Sequence, residues 1–249
     1  SMYAKCRCLD DAWRLFHKVP NRDLVLHNAM IAGCACEGHD KEAIELYKYL
    51  DVDGLSPNAR TFVSLLDACA ISGSLVEGEW IHCHIKASGL ESNVIVSTAL
   101  VNFYAKCGNL DFARKLFGRL TTKDVVSWNT MLTALAQHGE GKETLHLFEQ
   151  MKKDGKPPTY DTFQSLITGL LDAYKPRDAA MLFEQMLASN LVKPSELPSR
   201  VVSYVTIVNE LLSSEDFEGV HTFVMMLNEN GFNADYITCA NILKALSRK

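Results

Sequence analysis

The residues best suited by type to hold a metal ion are His82, Cys83 and His84, with the Cys-x-Cys pairs Cys6/Cys8 and Cys34/Cys36. Thiolate and imidazole are the ligands a structural zinc takes. These pairs fall in segments with a helical rhythm, where residues two apart point about 200° from each other and cannot chelate one ion. No C-x-x-C is present to complete a tetrahedral set. Nucleophilic catalysis is no better served, because Asp, His and Ser are scattered without a glycine-rich elbow or a phosphate loop. Neither metal, cofactor nor enzymatic activity is expected. What remains is polar display. Asp23, Asn58, Asn93 and Asp124 each stand immediately before an apolar-periodic segment, where Asp and Asn are favoured helix N-caps that contribute ~1 kcal/mol. Capping does not explain Asn28 and Asn129, which fall inside the first turns of such segments.

The elements that would position these residues follow from periodicity. Val94–Thr159 says the same thing twice: β-branched residues, an apolar-periodic stretch, a break at Gly108 or Gly139, then a second periodic stretch ending near a Leu-Phe pair. Leu100, Phe103 and Tyr104, then Ala113, Leu116, Phe117 and Leu120, keep the three-or-four-residue spacing of amphipathic helices. Leu-aromatic pairs recur at Leu15-Phe16, Leu46-Tyr47, Leu116-Phe117, Leu147-Phe148 and Leu182-Phe183, with separations of 31, 70, 31 and 35 residues. Tyr3 and Tyr104, Asp23 and Asp124, Asn28 and Asn129, and Phe62 and Phe163 are each 101 residues apart. Repeats of this size predict stacked helical hairpins. The expectation is an all-α, right-handed α-solenoid of helix-turn-helix repeats with no β-sheet.

The segments YAKC (Tyr3–Cys6 and Tyr104–Cys107), KDVVSWNTML (Lys123–Leu132) and LFEQMKKDGKPP (Leu147–Pro158) resemble the pentatricopeptide repeat. The alternation of 31- and 35-residue units is similar to its plant-type subclass of standard, long and short repeats. In that register residues 1–23 are a partial short repeat, 24–58 standard, 59–93 long, 94–124 short, 125–159 standard and 160–195 long-type. Residues 196–235 are an insert with a degenerate repeat, and 236–249 a terminal helix or partial repeat. Pro176 is expected in the first turn of a helix, where its missing N–H costs little.

The resemblance implies single-stranded RNA as partner, about one base per repeat, read by two or three side chains. It places base reading at the fifth and last residues of each repeat: Asn28/Asn58, Val63/Asn93, Thr98/Asp124, Asn129/Thr159, Gln164/Ser195 and Val205/Asp235. By the family's code Thr98/Asp124 reads G, Asn28/Asn58 reads C or U, and Asn129/Thr159 leans to pyrimidine. Val63, Gln164 and Val205 depart from the code. The chemistry agrees for Asp124, since an ionised carboxylate only accepts and guanine offers N1–H and an amino group. The second residue of each repeat wedges between bases in this scheme, which Val25, Ile95, Val126 and Val202 fit and Arg60 and Asp161 do not. Lys5 and Lys106 share a position that faces phosphate in relatives. Some relatives end in a deaminase-like domain, whose signature of H-x-E followed by P-C-x-x-C is absent here. The family also implies a plant organelle, chloroplast or mitochondrion, and protein cofactors of RNA editing, splicing or stabilisation.

Composition bounds the rest. The formal charge of the 249 residues is −5, which suits a nucleic-acid binder only if unevenly distributed. Val94–Thr159 carries nine Lys and Arg against six Asp and Glu, whereas Val201–Leu243 has no Lys or Arg against six carboxylates. Phosphate is therefore not expected at the C-terminal end, and that acidic end suggests the alternative, a protein-interaction solenoid of the tetratricopeptide kind. The eight cysteines include Cys6 and Cys107 at one repeat position, and point to packing in a reducing compartment. No run approaches the ~20 apolar residues of a membrane span. Ser1 opens mid-repeat, so the chain reads as part of a longer protein with any targeting segment outside it.

Overall fold

The computed structural model describes residues 9–189, 191 and 203–231. It is helical throughout those residues and divides into two compact units, Ser1–Met131 and Leu132–Lys249. The first unit holds α1 (Leu9–Lys18), α2 (Leu24–Glu37), α3 (Asp40–Val52), α4 (Ala59–Ser72), α5 (Leu75–Ala87), α6 (Val94–Lys106) and α7 (Leu110–Arg119). Helix α8 (Val125–Gln137) begins in the first unit and ends in the second, which continues with α9 (Gly141–Lys153), α10 (Tyr160–Asp172), α11 (Pro176–Ala188), α12 (Ser203–Ser213) and α13 (Phe217–Glu229).

In the first unit each first helix packs on its own second helix (α2 on α3, α4 on α5, α6 on α7) and on the first helix of the next hairpin, α2 on α4 and α4 on α6. In the second unit α10 packs on α11 and α12, and α12 on α13. This is the expected stack of hairpins. The helical rhythm turns Phe62, Leu65, Leu66 and Cys69 of α4, with Ile81 and Ile85 of α5, into positions wholly removed from water. Each large apolar side chain so buried contributes roughly 1.5–3 kcal/mol. His84, one turn along from Ile81, stays half-buried.

Helix starts are set by side chains that accept otherwise orphaned N–H groups. Asp23 accepts from the Leu26 N–H, Asn58 from Thr61, Asn93 from Ile95 and Val96, and Thr159 from Thr162. Pro176 opens α11. Two bidentate ion pairs tie neighbouring hairpins together. Arg22 holds Asp53 at 2.8 and 2.9 Å and keeps its carboxyl below the usual range. Arg177 holds Asp216, whose carboxyl is lowered to about 2 by that pair and by the Gly219 N–H.

The turns inside the hairpins carry a conformational cost at two places the sequence does not advertise, Tyr174 and Glu215. After α8 the Gly139 N–H bonds to the Ala136 carbonyl and the Glu140 N–H to Leu135, with Gly139 at φ 76°. After α10 the same pair of bonds runs from Tyr174 to Leu171 and from Lys175 to Leu170, and Tyr174 sits at φ 57°. A side chain with a Cβ is disfavoured there by on the order of 1 kcal/mol, and Tyr174 is exposed, so little packing offsets the strain. Tyr174→Gly is expected to stabilise the fold by up to about 0.5 kcal/mol after the added freedom of glycine in the unfolded chain, seen as a higher urea midpoint. A lower midpoint would show that the Tyr174 ring makes a contact outweighing its backbone.

Candidate nucleic-acid interface

The first helices present a repeated two-residue device. Residues three apart on a helix are neighbours on one face, so Val25 lies beside Asn28, Ile95 beside Thr98 and Val126 beside Asn129. The apolar member is exposed in each case, at 74%, 66% and 63%, although β-branched apolar side chains of this size are the ones a fold normally buries. The polar member is sunk, with Asn28 and Thr98 buried and Asn129 half-buried. The Thr98 hydroxyl and the Asn129 side-chain carbonyl are shielded from water and make no hydrogen bond. A buried polar atom without a partner costs ~1–3 kcal/mol, and these two sit on the face that carries the exposed Ile95 and Val126. Arg60 and Asp161, which take the apolar place on α4 and α10, are exposed as well.

Of the predicted base-reading pairs, the structure joins Asn28 and Asn58. The Asn28 amide donates to the Asn58 side-chain oxygen at 3.4 Å, while its own oxygen accepts from the Thr61 hydroxyl at 2.7 Å. Thr98 and Asp124 make no such bond. Asp124 is exposed and one of its carboxylate oxygens accepts from the Ser127 N–H at 2.8 Å, so it is a helix cap with the rest of its carboxylate turned outward. Val63 is half-buried, and Asn93 caps α6. Thr159 caps α10, and Gln164 accepts from the Tyr160 hydroxyl at 3.0 Å. Val205 is half-buried in α12. Ser195, Asp235, Val202 and Lys5 lie outside the described residues.

Lys106 is exposed on α6, two turns beyond Thr98 on the same stripe. Its charge reaches Asp67 of α4, whose carboxyl is pushed up by burial and drawn back by the Lys106 ammonium. Asp67 and Thr61 are the residues that the sequence pattern did not mark, since nothing in a 31- or 35-residue period identifies which neighbours meet across helices. Spacing four residues beyond Val63 does place Asp67 on the same helical face as Val63.

The histidines are separated as helical geometry requires. His82 is buried with Nδ1 2.8 Å from the Tyr104 hydroxyl and Nε2 3.2 Å from Glu91. Burial lowers its pKa, with Glu91 opposing, and burial lifts the Tyr104 phenol to about 12. His84 turns instead to the Tyr47 hydroxyl at 3.2 Å and the Trp80 ring. Cys34 and Cys69 are buried and Cys36 and Cys83 exposed, so the neighbouring residues of each motif point to different surroundings. In the second unit, Met181, Leu211, Phe223 and Met226 line a groove of about 300 Å³ between α11 and α13, flanked by Glu184 and Glu218. Among the described residues no helix is long and apolar enough to cross a membrane.

Known proteins share both the sequence and the fold. Residues 22–71 and 123–172 match the PPR repeat family, and residues 95–125 and 161–191 match the PPR repeat itself. A pentatricopeptide repeat-containing protein of Arabidopsis thaliana is 35% identical over 78% of this chain and 25% of its own length. The chloroplastic Arabidopsis protein CRR2 is 36% identical over 78% of this chain and 30% of its own. A mitochondrial one is 39% identical over 65% and 26%. The chain therefore spans about a quarter to a third of the length of these relatives. The crystal structure of the pentatricopeptide repeat protein PPR10 from maize superposes with a TM-score of 0.74 at 20% identity, covering 97% of this chain and 35% of that one. The structure of PPR10 in complex with an 18-nt psaJ RNA element superposes at 0.72, also at 20% identity, over 98% and 36%. With hairpins stacked first helix on first helix, and family matches lying over those hairpins, this chain belongs to the pentatricopeptide (PPR) repeat family.

Proposed function

We propose that the chain binds single-stranded RNA sequence-selectively along its first helices, about one base per repeat, as part of a longer protein of organellar RNA processing. The observation that supports this most directly is the device on α2, α6 and α8: an exposed Val or Ile one turn from a sunken Asn or Thr. A flat base can stack on the apolar side chain while its edge meets the polar one. The open hydrogen-bonding capacity of Thr98 and Asn129 suits a ligand that supplies the missing partner. The positive balance of Val94–Thr159, with Lys106 exposed, suits a phosphate backbone. Relatives that carry chloroplastic and mitochondrial names support the organelle. The 31- and 35-residue alternation supports the standard, long and short subclass. The chain itself is assigned no catalysis.

Salt dependence tests the reading. Single-strand binding releases counterions with a log–log slope near −0.7 per phosphate neutralised, so about four contacts imply roughly a fiftyfold loss of affinity between 50 and 200 mM salt. The measurement is fluorescence anisotropy of a labelled random pool of about 12 to 18 nucleotides, longer than the stack needs at about one base per repeat. Absence of binding at low salt, or affinity insensitive to salt, would reject it. Insensitivity together with binding of a basic peptide would favour the alternative of a protein-docking solenoid working through its acidic end.

A further inference from the structure

Thr61 is wholly buried, yet its hydroxyl lies within hydrogen-bonding distance of three groups of Asn28 and Asn58. Its N–H donates to the Asn58 side-chain oxygen at 3.1 Å, and its hydroxyl oxygen accepts from the Asn58 N–H at 3.2 Å. That reciprocal box starts α4. A helix start needs no more than this. The hydroxyl proton, however, points away from the box, to the Asn28 oxygen at 2.7 Å, across 33 residues of sequence. The Asn58 oxygen lies at 3.2 Å from the same hydroxyl. One proton serves one strong bond, and the shorter contact takes it.

The consequence is a fixed orientation for both amides. Asn58 cannot turn over, because its oxygen must stay on the Thr61 N–H. Asn28 cannot turn over either: reversed, its oxygen would face the Asn58 oxygen at the 3.4 Å where its NH2 now stands. Two carbonyl oxygens at that distance repel, and the Thr61 proton would lose its best acceptor. Both carbonyls are therefore turned inward and engaged. What is left for a ligand is N–H only, the second hydrogen of Asn28 and the NH2 of the exposed Asn58. A free asparagine pair would offer donors and acceptors alike.

We infer that Thr61, buried behind the Asn28/Asn58 pair, is a positioning residue for base selection, locking the pair into a donor-only display. This rests on the RNA-binding reading above, with Asn28 and Asn58 facing one base. Thr61 itself touches no ligand. The box recurs 101 residues on, where Thr162 is buried and exchanges the same two bonds with Thr159 at 2.9 and 3.3 Å.

The test compares wild type, Thr61→Val and Thr61→Ser, each shown to be folded by circular dichroism and urea titration. Four RNAs differing only at the base opposite Asn28 are bound to each at one salt concentration. Valine keeps the shape and removes the proton; serine keeps the proton. Wild type and Thr61→Ser should discriminate among the four bases alike, and Thr61→Val should lose about three- to tenfold of that discrimination while its affinity for its best RNA changes less. A merely structural Thr61 would lower stability in Thr61→Val and leave the ratios unchanged, and that outcome overturns the inference alone. If wild type shows no base preference at this place, the base-reading assignment fails and the inference fails with it. An RNA-free measurement holds if Thr61→Val does not fold. In wild type the Asn28 side-chain amide should be rigid by 15N relaxation, and an amide as mobile as an exposed asparagine overturns the inference.

Discussion

With Asp124 reading a base as proposed, Asp124→Asn is expected to leave the protein as stable as before and to move the preferred base opposite Thr98 away from guanine. Aspartate and asparagine cap helices about equally well. The cap here uses one carboxylate oxygen, held 2.8 Å from the Ser127 N–H. An asparagine would keep its oxygen on that N–H and so turn its NH2 to where the second carboxylate oxygen now stands. One acceptor facing outward becomes a donor and one negative charge is lost, while the shape of the side chain is kept. Guanine presents N1–H and an amino group to an acceptor. The family's code gives adenine for the asparagine version. A placed base contact is worth on the order of 1–3 kcal/mol of discrimination, a factor of several to a hundred. Asp124→Ala removes cap and contact together, so it should lose ~1 kcal/mol of stability along with the preference. The measurement is binding of four RNAs that differ only at this base, at one salt concentration. Unchanged preferences in Asp124→Asn would leave Asp124 as a helix cap and nothing more.

Gly78→Ala should destabilise the first unit by about 2 kcal/mol, against the direction helix propensity alone would give. In a helix interior, glycine to alanine ordinarily gains ~1 kcal/mol. At Gly78 in α5 the new methyl carbon would fall 1.9 Å from Cζ of Phe103 and 2.2 Å from Cε2. Phe103 is fully buried on α6 with its ring against Tyr104 at 4.8 Å, so it has nowhere to retreat. Overpacking of a core costs typically 1–3 kcal/mol and sometimes more. Here three ring atoms lie inside the forbidden distance, which places the cost at the upper end and above the propensity gain. Urea unfolding followed by circular dichroism gives the sign directly. Phe103→Leu on top of Gly78→Ala should recover part of the loss, so the pair should be non-additive in the compensating direction. A Gly78→Ala protein as stable as wild type would mean that α5 and α6 slide apart cheaply, and that the close approach is not a constraint on the stack.

The sequence by itself determined where hairpins begin and how they repeat. Asp23, Asn58, Asn93 and Asp124 cap the helices they precede, because capping is local chemistry, readable from a residue and the three after it. The apolar rhythm placed Phe62, Leu65 and Leu66 in the core for the same reason, since a helical period dictates a face. That Val25, Ile95 and Val126 are left exposed is also legible in part: they sit at one step of each period, outside the buried stripe. Tertiary structure decided the rest. Tyr174 and Glu215 adopt the left-handed turn that glycine takes at Gly139. Their types argue against it, and it is the packing of α10 on α11 and of α12 on α13 that overrides them. Helical spacing already told against Cys-x-Cys and His-x-His as ligand pairs, but only the packing shows which different partners His82 and His84 hydrogen-bond. The reach of the Thr61 hydroxyl to Asn28, like the fit of Phe103 against Gly78, joins residues 33 and 25 positions apart. Period and composition say that two such helices stack. Which atoms then meet depends on their separation to within a few tenths of an ångström, and only close packing sets that.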